Sequence, residues 1–444
     1  GRGLFHEAPL VGAGLQHLSS ARLELVWGLS FAMGAMAQLL ARLSGLPGVV
    51  LLLVAGLLAG RAGLGWIQTE RLGEGLEPVV GLLVSLILFH GGLNLRLAGR
   101  ELQRSVVQLV VARLLLVFPM GALFAHSLAG LPWSLALVFS AIVLATGPTV
   151  VTPLVRQMRL EANSARILVA EGLILEPLAA VLALVLLELA LGSTGDWQEA
   201  GLRLLVRLGG GVVLGCTIGG LLSELLRRLG ERADPTLQLQ LCVGVLFLLF
   251  GGAETLLPES GLPAAVAAGV VVGLRLGPSL EPLEALVEQL ANLAITVLFP
   301  LLAADLSLQE LSPLGIGGVA CVLALMLWRA PVIQLAGLGL PSLGWRQRLI
   351  ISWIAPRGIV SAAVASLFAL RLQQAGVAGA STLKGLVFLT ILLTVVVQGL
   401  TAPALAVRLG LVMEEPIEEE GSTDPAVDPH VLHHRQGIGD HREA

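Results

Sequence analysis

Long apolar stretches recur from residue 22 to residue 411, divided by short polar turns. Each is about as long as the roughly 20 residues that an α-helix needs to cross a bilayer. The pattern predicts thirteen spans, over 22–43, 47–64, 76–93, 105–129, 133–157, 165–192, 200–228, 237–257, 262–277, 288–305, 311–336, 347–371 and 384–408. The ninth is short, and the sixth and seventh are long enough to tilt. Before them lies an N-terminal segment, 1–21, with no basic n-region and no cleavage site, so no signal peptide is expected. After Leu411 the apolar pattern stops. The tail 412–444 is acidic (Glu414, Glu415, Glu418–Glu420) and holds His430, His433, His434 and His441. Such a composition predicts a solvated tail, with a histidine metal site as the rarer alternative.

Composition sharpens this picture. The chain is 55% hydrophobic and only 13% charged, against about 25% charged for soluble domains, so it cannot clothe a water-facing globule. An all-α membrane protein is expected, with lipid as its surroundings and no nucleic-acid partner, cofactor or enzymatic activity. Cys216, Cys242 and Cys321 lie far apart in apolar runs and form neither a metal spacing nor a disulfide framework. The net charge of −4 says little, but the placement of the charges says more. One alternate set of loops holds Arg96, Arg100, Arg104, Arg156, Arg159, Arg166, Arg227, Arg228, Arg232, Arg275, Arg346 and Arg348. The opposite set holds only Arg61, Arg71, Arg371 and Lys384. By the positive-inside rule the N-terminus is outside and the tail is cytoplasmic.

The spans also repeat. Span 4 carries Arg113 and span 11 carries Arg329. Span 5 is interrupted at Ala145-Thr146-Gly147-Pro148, and span 12 at Ala355-Pro356-Arg357-Gly358. Counted from spans 1 and 8, these are fourth and fifth members of two six-helix halves. Seven spans separate the matched features, so one half is inverted. Interrupted helices at matching places in inverted halves point to a transporter's binding site.

Ionisable groups at membrane depth are costly and usually functional. The main ones are Arg113, Glu171, Glu176, Glu254, Arg329 and Arg357. Glu176 lies near the middle of span 6, one turn after Gly172 on the same face, where the glycine opens space beside it. Pro177 has no amide hydrogen and frees the carbonyl of Leu173. A carboxylate beside a freed carbonyl suits a dehydrating cation, since hard cations take oxygen ligands. In span 5, Pro148 frees the carbonyl of Leu144, and Thr146, Thr149 and Thr152 add hydroxyls. In span 12, Pro356 frees the carbonyl of Ser352, with Arg357 beside it to satisfy carbonyl ends. The alternative for Glu176 is a carboxylate neutralised by a proton or an arginine, without a transport role.

These residues, in this order, resemble the NhaP-type monovalent cation:proton antiporters, the first cation–proton antiporter family. The resemblance runs over about residues 22–411. Its pieces are Leu86-Ile87-Leu88-Phe89-His90-Gly91-Gly92-Leu93, Ala145-Thr146-Gly147-Pro148, Glu171-Gly172 with Glu176-Pro177, Ser260-Gly261, Arg329, Arg357-Gly358, and Thr394 with Gln398-Gly399-Leu400-Thr401-Ala402-Pro403. It implies an NhaA-like fold with crossed discontinuous helices and a homodimer in the bacterial inner membrane. Spans 1–3 and 8–10 would form the interface, and spans 4–6 and 11–13 the moving core. It also implies a Glu171–Arg329 ion pair, with Arg357 as the competing partner of Glu171, and an acidic position at Glu254. The chain departs from the family at Leu175 and Gly147, where Asn and Asp are usual, and at His90, where an acidic residue is usual. Those departures leave cation identity open.

The expected function is exchange of Na⁺ or K⁺ for H⁺ by competition at Glu176, electroneutral and serving pH homeostasis. Burial and neighbouring positive charge act on a carboxyl in opposite senses, so one group can alternate between the two ions. The rivals are a same-fold transporter of an organic anion, bound by Arg329 and Arg357, and a non-transporting sensor.

Overall fold

The computed structural model describes residues 8–67, 76–94, 100–192, 197–232, 234–277 and 281–413. The acidic tail with its histidines, and the loop arginines Arg71 and Arg96, lie outside the described residues. The described chain is helical, with one isolated β-bridge between Leu160 and Val412. In order, the helices are α1 (Ala8–Ser44), α2 (Gly48–Ala59), α3 (Leu76–Asn94), α4 (Arg100–Ala112), α5 (Phe118–Ser127), α6 (Trp133–Leu144), α7 (Pro148–Gln157), α8 (Ala162–Ala190) and α9 (Trp197–Leu229). They continue with α10 (Pro235–Leu256), α11 (Gly261–Leu276), α12 (Glu281–Ala303), α13 (Leu308–Leu311), α14 (Gly315–Gly337), α15 (Trp345–Trp353), α16 (Ile359–Gln374), α17 (Ala380–Leu393) and α18 (Gly399–Leu409). Among the described residues, eight helical segments are long and apolar enough to cross a membrane, and four shorter apolar helices accompany them. Each apolar stretch read from the sequence falls on one helix or on helices in succession.

Local chemistry sets the ends. Asp234 accepts from the amide of Leu237 and starts α10, as an N-cap should. Glu161 starts α8 by accepting from the amides of Asn163 and Ser164, and it also receives the Ser164 hydroxyl and Gln347. Burial works against the charged form of Glu161, but these hydrogen bonds outweigh it and hold its pKa below the ordinary carboxylate value. That stabilisation is fully present above the ordinary pKa and fades as pH falls through the lowered one. Glu254 has a similar task at the end of α10, where its oxygens accept from the amides of Glu259 and Gly261. The acidic position expected there thus shapes the turn into α11.

Two π-helical turns, Arg113–Val117 and Thr394–Gln398, join α4 to α5 and α17 to α18 without a break. Such turns often lie at functional sites. Prolines alone do not end helices here: Pro153, Pro177, Pro300, Pro331 and Pro403 all sit inside them. Two of the apolar stretches unwind in their middle, between Leu144 and Pro148 and between Trp353 and Ile359, where glycine accompanies the proline.

Helices α1, α2, α3, α10, α11 and α12 pack among themselves, and α4–α8 pack with α13–α18; contact between the groups is sparser. α9 lies along α11 through Gly211, Gly215 and Gly219. A Cβ at Gly215 would stand 2.2 Å from the Ala264 carbonyl oxygen, and one at Gly211 2.5 Å from that of Ser260. The two backbones therefore touch directly.

Candidate functional site

The two unwound segments meet. The amide of Gly147 donates to the Pro356 carbonyl at 3.1 Å. A Cβ at Gly147 would lie 2.4 Å from the Gly358 Cα, so the crossing is a backbone-to-backbone contact. Ser361 of α16 reaches the Ile142 carbonyl of α6 at 3.2 Å. The second break is held from the π-turn by side chains: Gln398 accepts from the Ala355 amide at 3.0 Å, and Thr394 from the Arg357 amide at 3.2 Å. Unwound backbone at this depth persists only where it is enclosed by protein or lines a cavity.

Three buried arginines then satisfy the carbonyl ends. Arg113 donates to the Leu144 carbonyl and, at 3.4 Å, to the Thr146 hydroxyl. Arg357 donates to the Ala145 carbonyl at 3.0 Å. Arg329 donates to Ile351 at 3.0 Å and Ser352 at 3.1 Å. These oxygens end α6 and α15, where a helix has unpaired carbonyls and a partial negative charge. Between the arginines lies Glu171, fully buried, with Arg113 3.0 Å from one oxygen and Arg329 3.2 Å from the other. A buried charge this well paired fixes the position of what it holds.

Several of the expected site residues have other partners. The Leu144 carbonyl and the Thr146 hydroxyl, expected as cation oxygens, accept from Arg113. The Ser352 carbonyl is served by Arg329, whereas Arg357 crosses over to the other break. Gly172 does not open space beside Glu176: a Cβ there would stand 3.0 Å from the Thr146 carbonyl oxygen, so the crossing fills the gap. The Thr149 side chain lies outside the described residues, so its place as a ligand is untouched. Arg113 is the partner that the sequence left unassigned. Its match to Arg329 in the repeat was the signal, since matched positions can share one task.

Glu176 contrasts with Glu171. It lies one turn beyond Gly172 on α8, is 1% exposed, and neither carboxylate oxygen has a hydrogen-bond partner among the described residues. Leu173, on the same stretch, packs on Gly91 of α3. An isolated buried carboxylate is costly to keep charged without a partner.

The seam between the two helix groups differs at its two ends. At the 44–48 turn a cavity of about 410 Å³ opens between α1, α2, α12 and α7, with Pro153 and Gln157 on its wall. Gln157 spans its rim, donating to the Leu46 carbonyl at 2.8 Å and accepting from the Gly48 amide at 3.3 Å. Pro153 lies about 8 Å along α7 from Pro148, at 1.5 Å per residue. Toward the opposite end, α2 and α12 close on α16 and α17 around an apolar void of only about 20 Å³.

The Gly147 contact yields a prediction. Gly147→Asp, which places the family's usual residue here, should not add an ion ligand. Its Cβ would force the two breaks apart, and overpacking of this kind costs about 1–3 kcal/mol. Thermal unfolding in detergent should show a clear loss; a variant as stable as its parent contradicts the close approach.

A family model described as "Sodium/hydrogen exchanger, transmembrane" matches residues 28–408. A Na(+)/H(+) antiporter, ApNhaP of Aphanothece halophytica, is 25% identical over 410 residues, covering 87% of this chain and 74% of its own. A K(+)/H(+) antiporter, NhaP2 of a Shewanella species, is 25% identical, covering 80% of this chain and 61% of its own. Among solved structures, the sodium proton antiporter MjNhaP1 of Methanocaldococcus jannaschii superimposes with a TM-score of 0.76 at 24% identity, covering 87% of this chain and 99% of its own.

Proposed function

Because this chain belongs to the sodium/hydrogen exchanger family, and is a cation/proton exchanger and not an enzyme, we propose that Na⁺ or K⁺ and H⁺ compete for the carboxylate of Glu176. The observation that carries this reading is the contrast between two buried acids five residues apart on one helix. Glu171 is held by two arginines, whereas both oxygens of Glu176 are without a protein partner among the described residues. One acid organises the site, and the other is left to exchange its ion. The carbonyl of Leu173, freed by Pro177, and the Thr149 hydroxyl complete the oxygen set in this reading. Gly147, Pro148, Pro356 and Arg357 keep the crossing open as backbone.

The two helix groups are, on this proposal, the interface and core bodies of a multi-pass homodimer, with thirteen spans in two inverted repeats. The N-terminus is outside and the tail is cytoplasmic, in a bacterial inner membrane. The cavity at the 44–48 turn then faces the cytoplasm, and the protein stands inward-facing. Movement of the core past the interface exposes the site to each side in turn. Arg329 and Arg357 donate to Glu171 and to helix ends, so they support the crossing and are not offered to an organic anion.

Cation-dependent proton flux in everted vesicles, with Na⁺, K⁺ and Li⁺ in turn, tests the function. Flux with none of the three would reject it in favour of a sensor. One exchanging carboxylate also predicts that the rate in proteoliposomes is unchanged when valinomycin clamps the voltage. A rate that follows the imposed voltage would require a second titrating group.

A further inference from the structure

A second charged cluster lies far along the chain from the arginine site, where the seam is closed. Lys384, one turn into α17, is 9% exposed. Its ammonium lies 3.2 Å from Asp305 and 3.0 Å from Glu310, and 5.7 Å from the centre of the Phe388 ring. On the two-body reading the two carboxylates belong to different bodies. Asp305 follows α12, which packs with α1 and α2, whereas Glu310 lies in α13, which packs on α17. Ser366 of α16 adds a second contact across the seam, donating to Asp305 at 3.0 Å. Glu310 stays on the Lys384 side by two further contacts: its capping box with Ser307, and its backbone carbonyl, 2.3 Å from where a Cβ of Gly385 would lie. Directly beneath, Phe388 also lines the small apolar void between α2, α12, α16 and α17.

We infer that Asp305 and Lys384 form an outer latch that holds the seam closed, with Glu310 as the partner that keeps Lys384 paired when the latch opens. A nearly buried ammonium released with no partner would oppose opening strongly, since an uncompensated buried charge is costly. With Glu310 moving alongside it, Lys384 loses only one of its two carboxylates. The walls below are lined almost wholly by apolar side chains, so among the described residues the polar part of the resistance to opening at this end is concentrated in this cluster. The inference rests on the two-body exchange reading above.

Its test reads conformation without a cation gradient, so it can fail while exchange at Glu176 stands. Leu57→Cys, on the void wall, is placed in a protein whose Cys216, Cys242 and Cys321 are replaced by Ala. Labelling by a membrane-impermeant maleimide is followed from the outer side. Asp305→Asn should raise the labelling rate by roughly fivefold, the upper end of what a solvent-reachable pair contributes. Ser366→Ala should raise it by less. Glu310→Gln should lower it, because Lys384 would then be stranded on opening; glutamine preserves the capping box, so the fold is kept. Opposite signs for Asp305→Asn and Glu310→Gln support the latch. Changes of the same sign, or none, overturn it.

Discussion

The Glu176→Gln protein is expected to insert, fold and purify like its parent and to exchange no cation for protons above the background of empty vesicles. The amide has nearly the shape of the acid but cannot release a proton, so the competition at the site has no second state. Stability should not fall. Neither oxygen of Glu176 has a hydrogen-bond partner among the described residues, so no protein contact is broken, and a buried ionisable group is removed. An unpaired buried carboxylate is costly to keep charged, and the neutral amide of similar size removes that cost. Loss of exchange with unchanged or raised thermal stability is therefore the signature. Retained proton flux driven by any alkali cation would sink the mechanism. Glu176→Asp keeps the titrating group on a shorter stem, so some exchange should persist with an altered cation preference.

Glu171→Gln should do the reverse, with the fold suffering first. Two guanidinium groups face Glu171, so one substitution strands both. Removing one partner of a buried pair costs about 3–5 kcal/mol, and here the cost lies at or above the upper end. Arg329→Leu leaves Glu171 with Arg113 but orphans the carbonyls of Ile351 and Ser352. Buried unsatisfied groups cost about 1–3 kcal/mol each, so that variant is destabilised too. The double variant Glu171→Gln/Arg329→Leu should lose less than the sum of the singles, yet fall short of the parent because Arg113 stays unpaired. Thermal unfolding of the four proteins gives the coupling energy. Losses that simply add would reject the shared network.

How much of this was legible in the sequence varies with the distance over which each feature is decided. The helices follow from apolar runs, which are local. The two breaks were legible because Gly147-Pro148 and Pro356-Arg357-Gly358 place glycine beside proline. Five other prolines leave their helices intact, and a proline by itself would have misled. The ionisable residues of the site were legible because charge is rare in these stretches. Their pairing was legible only in part. Which carbonyl an arginine serves depends on which helix lies within reach of its long side chain, and this is set by packing between distant segments. Hence Arg329 with Glu171 could be anticipated, whereas the Arg113 contact to Leu144 and the crossing of Arg357 to Ala145 could not. Nor does the sequence show that Gly147 faces Gly358, which leaves no room for an aspartate.

The direct backbone contact of α9 on α11 bears on how the protein meets lipid. With 33 residues, α9 is about 50 Å long, well beyond a hydrocarbon thickness of about 30 Å. α11, with 16 residues, is about 24 Å long and falls short of it. Glycine contact allows little slippage between them, so the long helix cannot relieve its excess by sliding past the short one. Mismatch must be taken up by tilting the pair together or by adjusting the bilayer around it. α11 packs on α3 through Gly92, Gly269 and Gly273, so that tilt passes into the helix group to which α3 belongs, the interface body in the proposed mechanism. On the proposed two-body mechanism, the acyl-chain length of the surrounding membrane should therefore bear on the seam through this pair of helices.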